Sequence, residues 1–149
     1  MALGSGAAYV FRFDGTDLFQ QAYVKASNTD GRDKFGEAVS LSADGNTLAI
    51  GAGFEASNAA GVKGDQFDNS SNIVGAAYVF RYDGTDWSQR SYVKASNPGR
   101  INEFGFAISL SADGNTLAVG AIGEESNATG VNGNQNDNSA EASGAVYVY

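Results

Sequence analysis

Short runs of alternating apolar and polar residues recur along this chain, separated by turn-forming residues. Tyr9, Phe11 and Phe13 alternate with Val10 and Arg12, the period of a half-buried strand. They run into Asp14-Gly15-Thr16-Asp17, a turn, after which 18–27 (LFQQAYVKAS) resumes strand-like sequence. The ten residues SLSADGNTLA occur twice unchanged, at Ser40 to Ala49 and at Ser109 to Ala118. Each copy predicts a β-hairpin, because Asp44-Gly45 and Asp113-Gly114 supply a turn in which glycine accepts a positive φ at no steric cost. In 35–42 (FGEAVSLS), Phe35, Val39 and Leu41 fall on one face and Gly36, Ala38 and Ser40 on the other. Phe104, Phe106, Ile108 and Leu110 complete the bulky face in the second copy. A sheet bulky on one side and small on the other, with no charged face, is expected to be covered on both sides by closely approaching neighbours.

The chain matches itself at a period of 69 residues, Gly6 falling on Gly75 and Gly75 on Gly144. About 44 of the 69 aligned pairs are identical, which marks an internal repeat. The expected fold is all-β, with two four-stranded antiparallel meander repeats of 69 residues: 6–74, 75–143, and the first strand of a further unit at 144–149. Residues 1–5 read as a start or cloning scar. Within a unit the connections are a tight turn, a medium polar loop (28–34 or 97–103), a second tight turn and a long irregular stretch, 53–74 in the first unit. Successive antiparallel strands turn at opposite ends, so both Asp-Gly turns are expected on one rim and the Asn/Asp-rich loops on the other.

Composition narrows the function classes. The 149 residues carry a net charge of −8 with nine Lys and Arg in all, a poor basis for phosphate binding. There is no Cys and no His, which removes disulfides, thiolate chemistry, the commonest general base and the commonest transition-metal ligand. No apolar run approaches the roughly 18 residues of a membrane-spanning helix. Lys25 and Lys94, like Arg12 and Arg81, recur singly in strands and are expected at solvent-facing edges. The recurrent Tyr and Phe are expected in the core or between sheets.

Phe35-Gly36, Val39, Leu48-Ala49-Ile50-Gly51-Ala52 and Gly75-Ala76-Ala77-Tyr78-Val79-Phe80, repeated from Phe104-Gly105 to Gly144-Ala145-Val146-Tyr147-Val148, resemble the FG-GAP repeat of the integrin α-subunit propeller and its bacterial relatives. The resemblance implies β-propeller blades, an extracellular or cell-surface setting, adhesion or binding through loops, and often calcium. Here the turn SADGNT is short and offers one carboxylate, Asp44 or Asp113, so the family's calcium site is not carried to it. A separate metal candidate lies in the long loops, where Glu55, Asp65, Asp68 and Asn69 correspond to Glu124, Asn134, Asp137 and Asn138. Calcium takes six to eight oxygen ligands of these kinds; the same residues also serve simply as turn formers. No nucleophile with a base is available for catalysis, and the adjacent carboxylates Glu124 and Glu125 have no fixed separation.

The expectation is therefore a non-enzymatic extracellular binding or adhesion module, with a subunit of a self-assembling ring or filament as the alternative and a carboxylate-based hydrolase a distant third. Counting strands sharpens it. The chain opens on the third and fourth strands of one unit, holds one entire unit and closes on the first three of another. Residues 18–27 of one copy are expected to supply the strand missing after Tyr149 of the next, a head-to-tail contact of unlike surfaces.

Overall fold

The structure is a computed structural model that describes residues 3–149 and is all-β; Met1 and Ala2, the beginning of the expected 1–5 scar, lie outside the described residues. Among the described residues nine strands form three antiparallel sheets. The first pairs β1 (Ala8–Phe13) with β2 (Leu18–Val24). The second has the order β3 (Ala38–Leu41), β4 (Thr47–Ala52), β5 (Ala76–Tyr82), β6 (Trp87–Val93), and the third β7 (Phe104–Leu110), β8 (Leu117–Ala121), β9 (Ala145–Val148). One sheet is thus four-stranded and the others hold two and three strands. The four-stranded sheet takes β3 and β4 from one 69-residue repeat and β5 and β6 from the next, so the sheets are offset by half a unit from the sequence repeat. The physical reason lies in the loops: the tight turns and the long loop join neighbours in one sheet, whereas the medium loops cross between sheets.

The sheets stack bulky face on small face. Phe35, Leu48, Ile50, Tyr78, Phe80 and Tyr92 of the central sheet pack against Ala8, Val24 and the partly buried Val10 and Ala22 of the first. Ala49, Ala77, Val93 and Ala95 on the other face of the central sheet pack against Phe104, Leu117, Val119 and Ala121 of the third. The two Phe-Gly phenylalanines anchor these interfaces. Phe35 meets Tyr78 and Phe80 edge-on at 5.3 and 6.0 Å, and Phe104 meets Tyr147 and Tyr149 at 5.5 and 6.2 Å, a favoured geometry worth about 0.5–1.5 kcal/mol per pair beyond burial.

Backbone contact closes the stack beside them. Gly75 forms a parallel bridge with Phe104, as Gly6 does with Phe35. A Cβ on Gly75 would lie 2.1 Å from the Phe104 carbonyl oxygen, so only glycine permits this approach. Loop carbonyls continue the seam: Phe104 N donates to Val74 O and Phe35 N to Ser5 O.

The Asp-Gly turns form as expected. Gly45 and Gly114 have φ of 70° and 71°, and Asp44 and Asp113 each accept a backbone N–H from the asparagine two residues on and a hydroxyl from the preceding serine. These bonds hold both carboxyls below their ordinary value of 3.8, the serine hydroxyl contributing most. A carboxyl depressed on folding stabilises above its unfolded pKa and loses that contribution as pH falls through its folded value.

Two outcomes are expected. Gly45→Val and Gly114→Val each lower stability by about 1–2 kcal/mol from the left-handed backbone alone. Gly114→Val costs more, because its Cβ would meet Thr47 Oγ1 at 2.8 Å whereas the nearest atom to a Cβ on Gly45 is an Arg12 guanidinium nitrogen at 4.0 Å; thermal melts that match the parent would refute the turn assignment. Below pH 3.8 stability falls as the turn aspartates protonate, and Asp44→Asn with Asp113→Asn flattens that acid limb in pH-resolved urea titrations.

Candidate functional site

The rim opposite the Asp-Gly turns holds a buried polar cluster built on an ion pair. Glu55 leaves β4 in a tight turn, its N–H donating to Ala52 O, and Lys94 follows the last residue of β6. Both are buried, and Lys94 Nζ lies 2.7 Å from Glu55 Oε2 while also donating to Ser57 O at 2.8 Å. The second carboxylate oxygen accepts from Asn28 Nδ2 at 3.1 Å; Ser57 N and Oγ donate to Oε2 at 3.1 and 3.2 Å. Asn28 Oδ1 in turn accepts the Tyr78 hydroxyl, and Ser57 Oγ is bonded to the Tyr92 hydroxyl.

Electrostatics follow from the geometry. Burial pushes the Lys94 ammonium below its ordinary value, and the Glu55 carboxylate opposes the shift. Burial first, and then the negative charge of Glu55, pushes the Tyr78 and Tyr92 hydroxyls up, so both stay neutral donors. The expected solvent-facing edge position for Lys94 is therefore corrected: the residue is fully buried, because the loop 55–63 folds over the end of β6 and brings Glu55 to it. The signal was present as the identical YVKAS text in both repeats, where the five residues before it share only Gln20 and Gln89.

The second repeat builds the same cluster without its cation. Glu124 is buried and accepts from Asn97 Nδ2 at 3.0 Å and from Ser126 N and Oγ at 3.0 and 2.9 Å. Tyr147 donates to Asn97 Oδ1 and is pushed up to about 12, by burial first and by Glu124 second. Among the described residues the ion pairs are Lys94–Glu55 and the exposed Lys34–Glu37. Glu124 has no cation.

A groove opens beside it. In the first repeat, Gly61 to Lys63 pair with the outer edge of β6: Lys63 N donates to Tyr92 O, Lys94 N to Gly61 O, and Val62 lies opposite Val93. In the second repeat, Gly130, Val131 and Asn132 follow the same path, with φ of 77° and 58° at Gly130 and Asn132 against 68° and 62° at Gly61 and Lys63. Among the described residues no strand fills the space between them and β9, the last strand of its sheet. A cavity of about 960 Å³ lies there, lined by Glu124, Ser126, Val131, Tyr147 and Tyr149 among others, and Val131 is 90% exposed.

The other loop residues proposed as metal ligands are engaged in turns. Asp65 Oδ1 accepts Phe67 N and Asp68 Oδ1 accepts Ser70 N. Asn69 Nδ2 donates to Asp30; Asn134 accepts Asn136 N and Asp137 accepts Ser139 N; Asn138 is exposed. Among the described residues no three Asp or Glu side chains gather at one point. The loop backbone is nonetheless reproduced closely: the positive-φ residues Arg32, Lys34, Lys63 and Ile73 recur at Ile101, Glu103, Asn132 and Ala142. Four different side-chain pairs thus accept one strained path.

No protein-family model matches this chain, and no curated protein matches it.

Removing one member of a buried ion pair typically costs about 3–5 kcal/mol, because the other is left uncompensated. Lys94→Met is therefore expected to lower stability by that amount in urea unfolding, with Glu55→Gln in the same chain recovering part of it. A Lys94→Met variant as stable as the parent would show that the pair does not hold the loop to β6.

Proposed function

We propose that the chain is a non-enzymatic module of propeller-type blades that binds through the ends of its sheet stack, joining copies head to tail. The observation that carries this reading is that the two ends are unlike and complementary. At one end Tyr9, Phe11, Phe13 and Tyr23 of the β1–β2 hairpin are exposed, whereas Tyr78, Phe80 and Tyr92, the counterparts of Tyr9, Phe11 and Tyr23, are core residues of the central sheet. At the other end, Val146 and Val148 expose a small face and β9 an open edge. Apolar surface so arranged on a stack marks an interaction site, and unlike surfaces that fit each other give heterologous contacts, which close into a ring or run on as a filament.

The propeller assignment is supported by the bulky-on-small stacking and by the resemblance of the Phe-Gly and Gly-Ala-Ala-Tyr-Val-Phe text to FG-GAP repeats. The extracellular and adhesive setting rests on that resemblance. A non-enzymatic role agrees with the fate of the buried carboxylates: Glu55 and Glu124 are both committed to hydrogen bonds within the protein.

Light scattering after size exclusion at micromolar concentration tests this reading. Masses at multiples of the 15.4 kDa chain are expected, growing with concentration. A compact monomer throughout that range would contradict it.

A further inference from the structure

We infer that Lys25 of a second copy completes the Glu124 cluster, entering with its β2 strand as that strand takes the vacant place between β9 and the loop at Val131. This contact rests on the head-to-tail reading above and names the groove, the strand and the ion pair through which it works.

The central sheet supplies the template for every part of the fit. There, Ala77 and Val79 of β5 pair with Val93 and Ser91 of β6, Val62 flanks Val93 from the other side, and Lys94 reaches Glu55 and Ser57 O. At a period of 69 residues, Val146 and Val148 stand for Ala77 and Val79, Val131 for Val62, Glu124 for Glu55 and Ser126 for Ser57. In β2 of a second copy, Val24 stands for Val93, Ala22 for Ser91 and Lys25 for Lys94. Val24 would then lie between Val146 and Val131, and its neighbour Lys25 would point at the buried carboxylate.

Among the described residues neither charged group has an ionic partner in the single chain. Glu124 is held by neutral donors, and Lys25 Nζ donates to Ser5 Oγ and the Gly6 carbonyl. A buried carboxylate with a preformed cradle of donors and a groove leading to it favours one cation placed on a strand.

Insertion of β2 into this place requires β9 to replace β1 beside it, since β1 is the equivalent strand: Ala8 and Val10 pair with Val24 and Ala22 as Val146 and Val148 would. The exchange substitutes one ladder of the same register for another, since β9 is the counterpart of β1 at the 69-residue period. The gains are those the single chain lacks. Val39 and Leu41 are exposed on the central sheet, while their counterparts Ile108 and Leu110 pack against the sheet before them; the incoming β7 and β8 of another copy would cover Val39 and Leu41 in the same way. Tyr23 would lie beside Tyr147, as Tyr92 lies 5.3 Å from Tyr78.

Cysteine pairing reads the register directly, because the chain has no Cys of its own. The bonds flanking Val62 and Val93 mark a non-hydrogen-bonded antiparallel pair, in which Cα atoms lie about 4.5 Å apart, within disulfide range. Chains carrying only Val24→Cys, mixed with chains carrying only Val131→Cys and oxidised, are expected to give a disulfide-linked species of twice the chain mass. Val62→Cys with Val93→Cys in one chain sets the yield expected for that register. Oligomers by light scattering without the cross-link would overturn the strand insertion and leave head-to-tail association to another contact. A monomer without the cross-link would overturn both. As an independent measurement, Lys25→Met is expected to weaken association at least tenfold in the parent, with Lys25→Arg retaining most of it. The same Lys25→Met change in a Glu124→Gln background is expected to have little further effect; equal effects in both backgrounds would refute the ion pair.

Discussion

Close approach of one sheet to the next is the constraint on which this structure depends. A bulky face led by a phenylalanine presses on a face of Ala, Gly and Val, and the backbone itself touches where Gly75 meets Phe104 and Gly6 meets Phe35. Such packing is directional. Each sheet has a bulky face and a small face, so a stack has two different ends, and stacking cannot satisfy both within this chain. The exposed aromatics of β1–β2 and the exposed valines of β9 are the same residue types that form the core elsewhere; what differs is only whether a neighbouring sheet stands against them.

The polar rim is subordinate to this stack and tightens it. Asn28 and Asn97, on the medium loops between sheets, reach across to the long loops of the next sheet, where they bind Glu55 and Glu124 and also Gln66 O and Gln135 O at 2.6 Å. Burying a carboxylate is costly unless it is hydrogen-bonded and paired. Lys94, carried by β6 of the second repeat, meets that demand for Glu55 of the first; the Glu124 cradle has no such strand beside it among the described residues. The difference between the repeats is therefore topological and not a difference in loop sequence, since Glu, Ser, Asn, Gly and Val occupy the same places in both.

Much of this was legible in the sequence. The Asp-Gly hairpins, the period, the bulky and small faces and the gathering of the loops on one rim all follow from local chemistry and strand parity, except that Phe106, expected on the bulky face, is exposed, because a bulge between Phe104 and Ala107 breaks the alternation there. The partition into two, four and three strands follows from counting. The burial of Lys94 was not legible from strand period alone, because a lysine ending a strand is ordinarily solvated and only the fold of 55–63 over β6 encloses it. The long-loop Asp and Asn residues read equally as ligands and as turn formers; in the structure Asp65, Asp68, Asn134 and Asp137 cap their own turns, a local bond that leaves little on the page of the sequence to distinguish the two uses.

The central claim is that the two ends of this stack engage each other and that β9 then stands where β1 stood. Amide hydrogen exchange measured at low and high protein concentration tests it most directly, since it reads the two strands separately in the unmodified chain. The account predicts that raising the concentration protects Val146 and Val148 on the open edge of β9 while the amides of β1 lose protection. Exchange in both strands that is independent of concentration would contradict it.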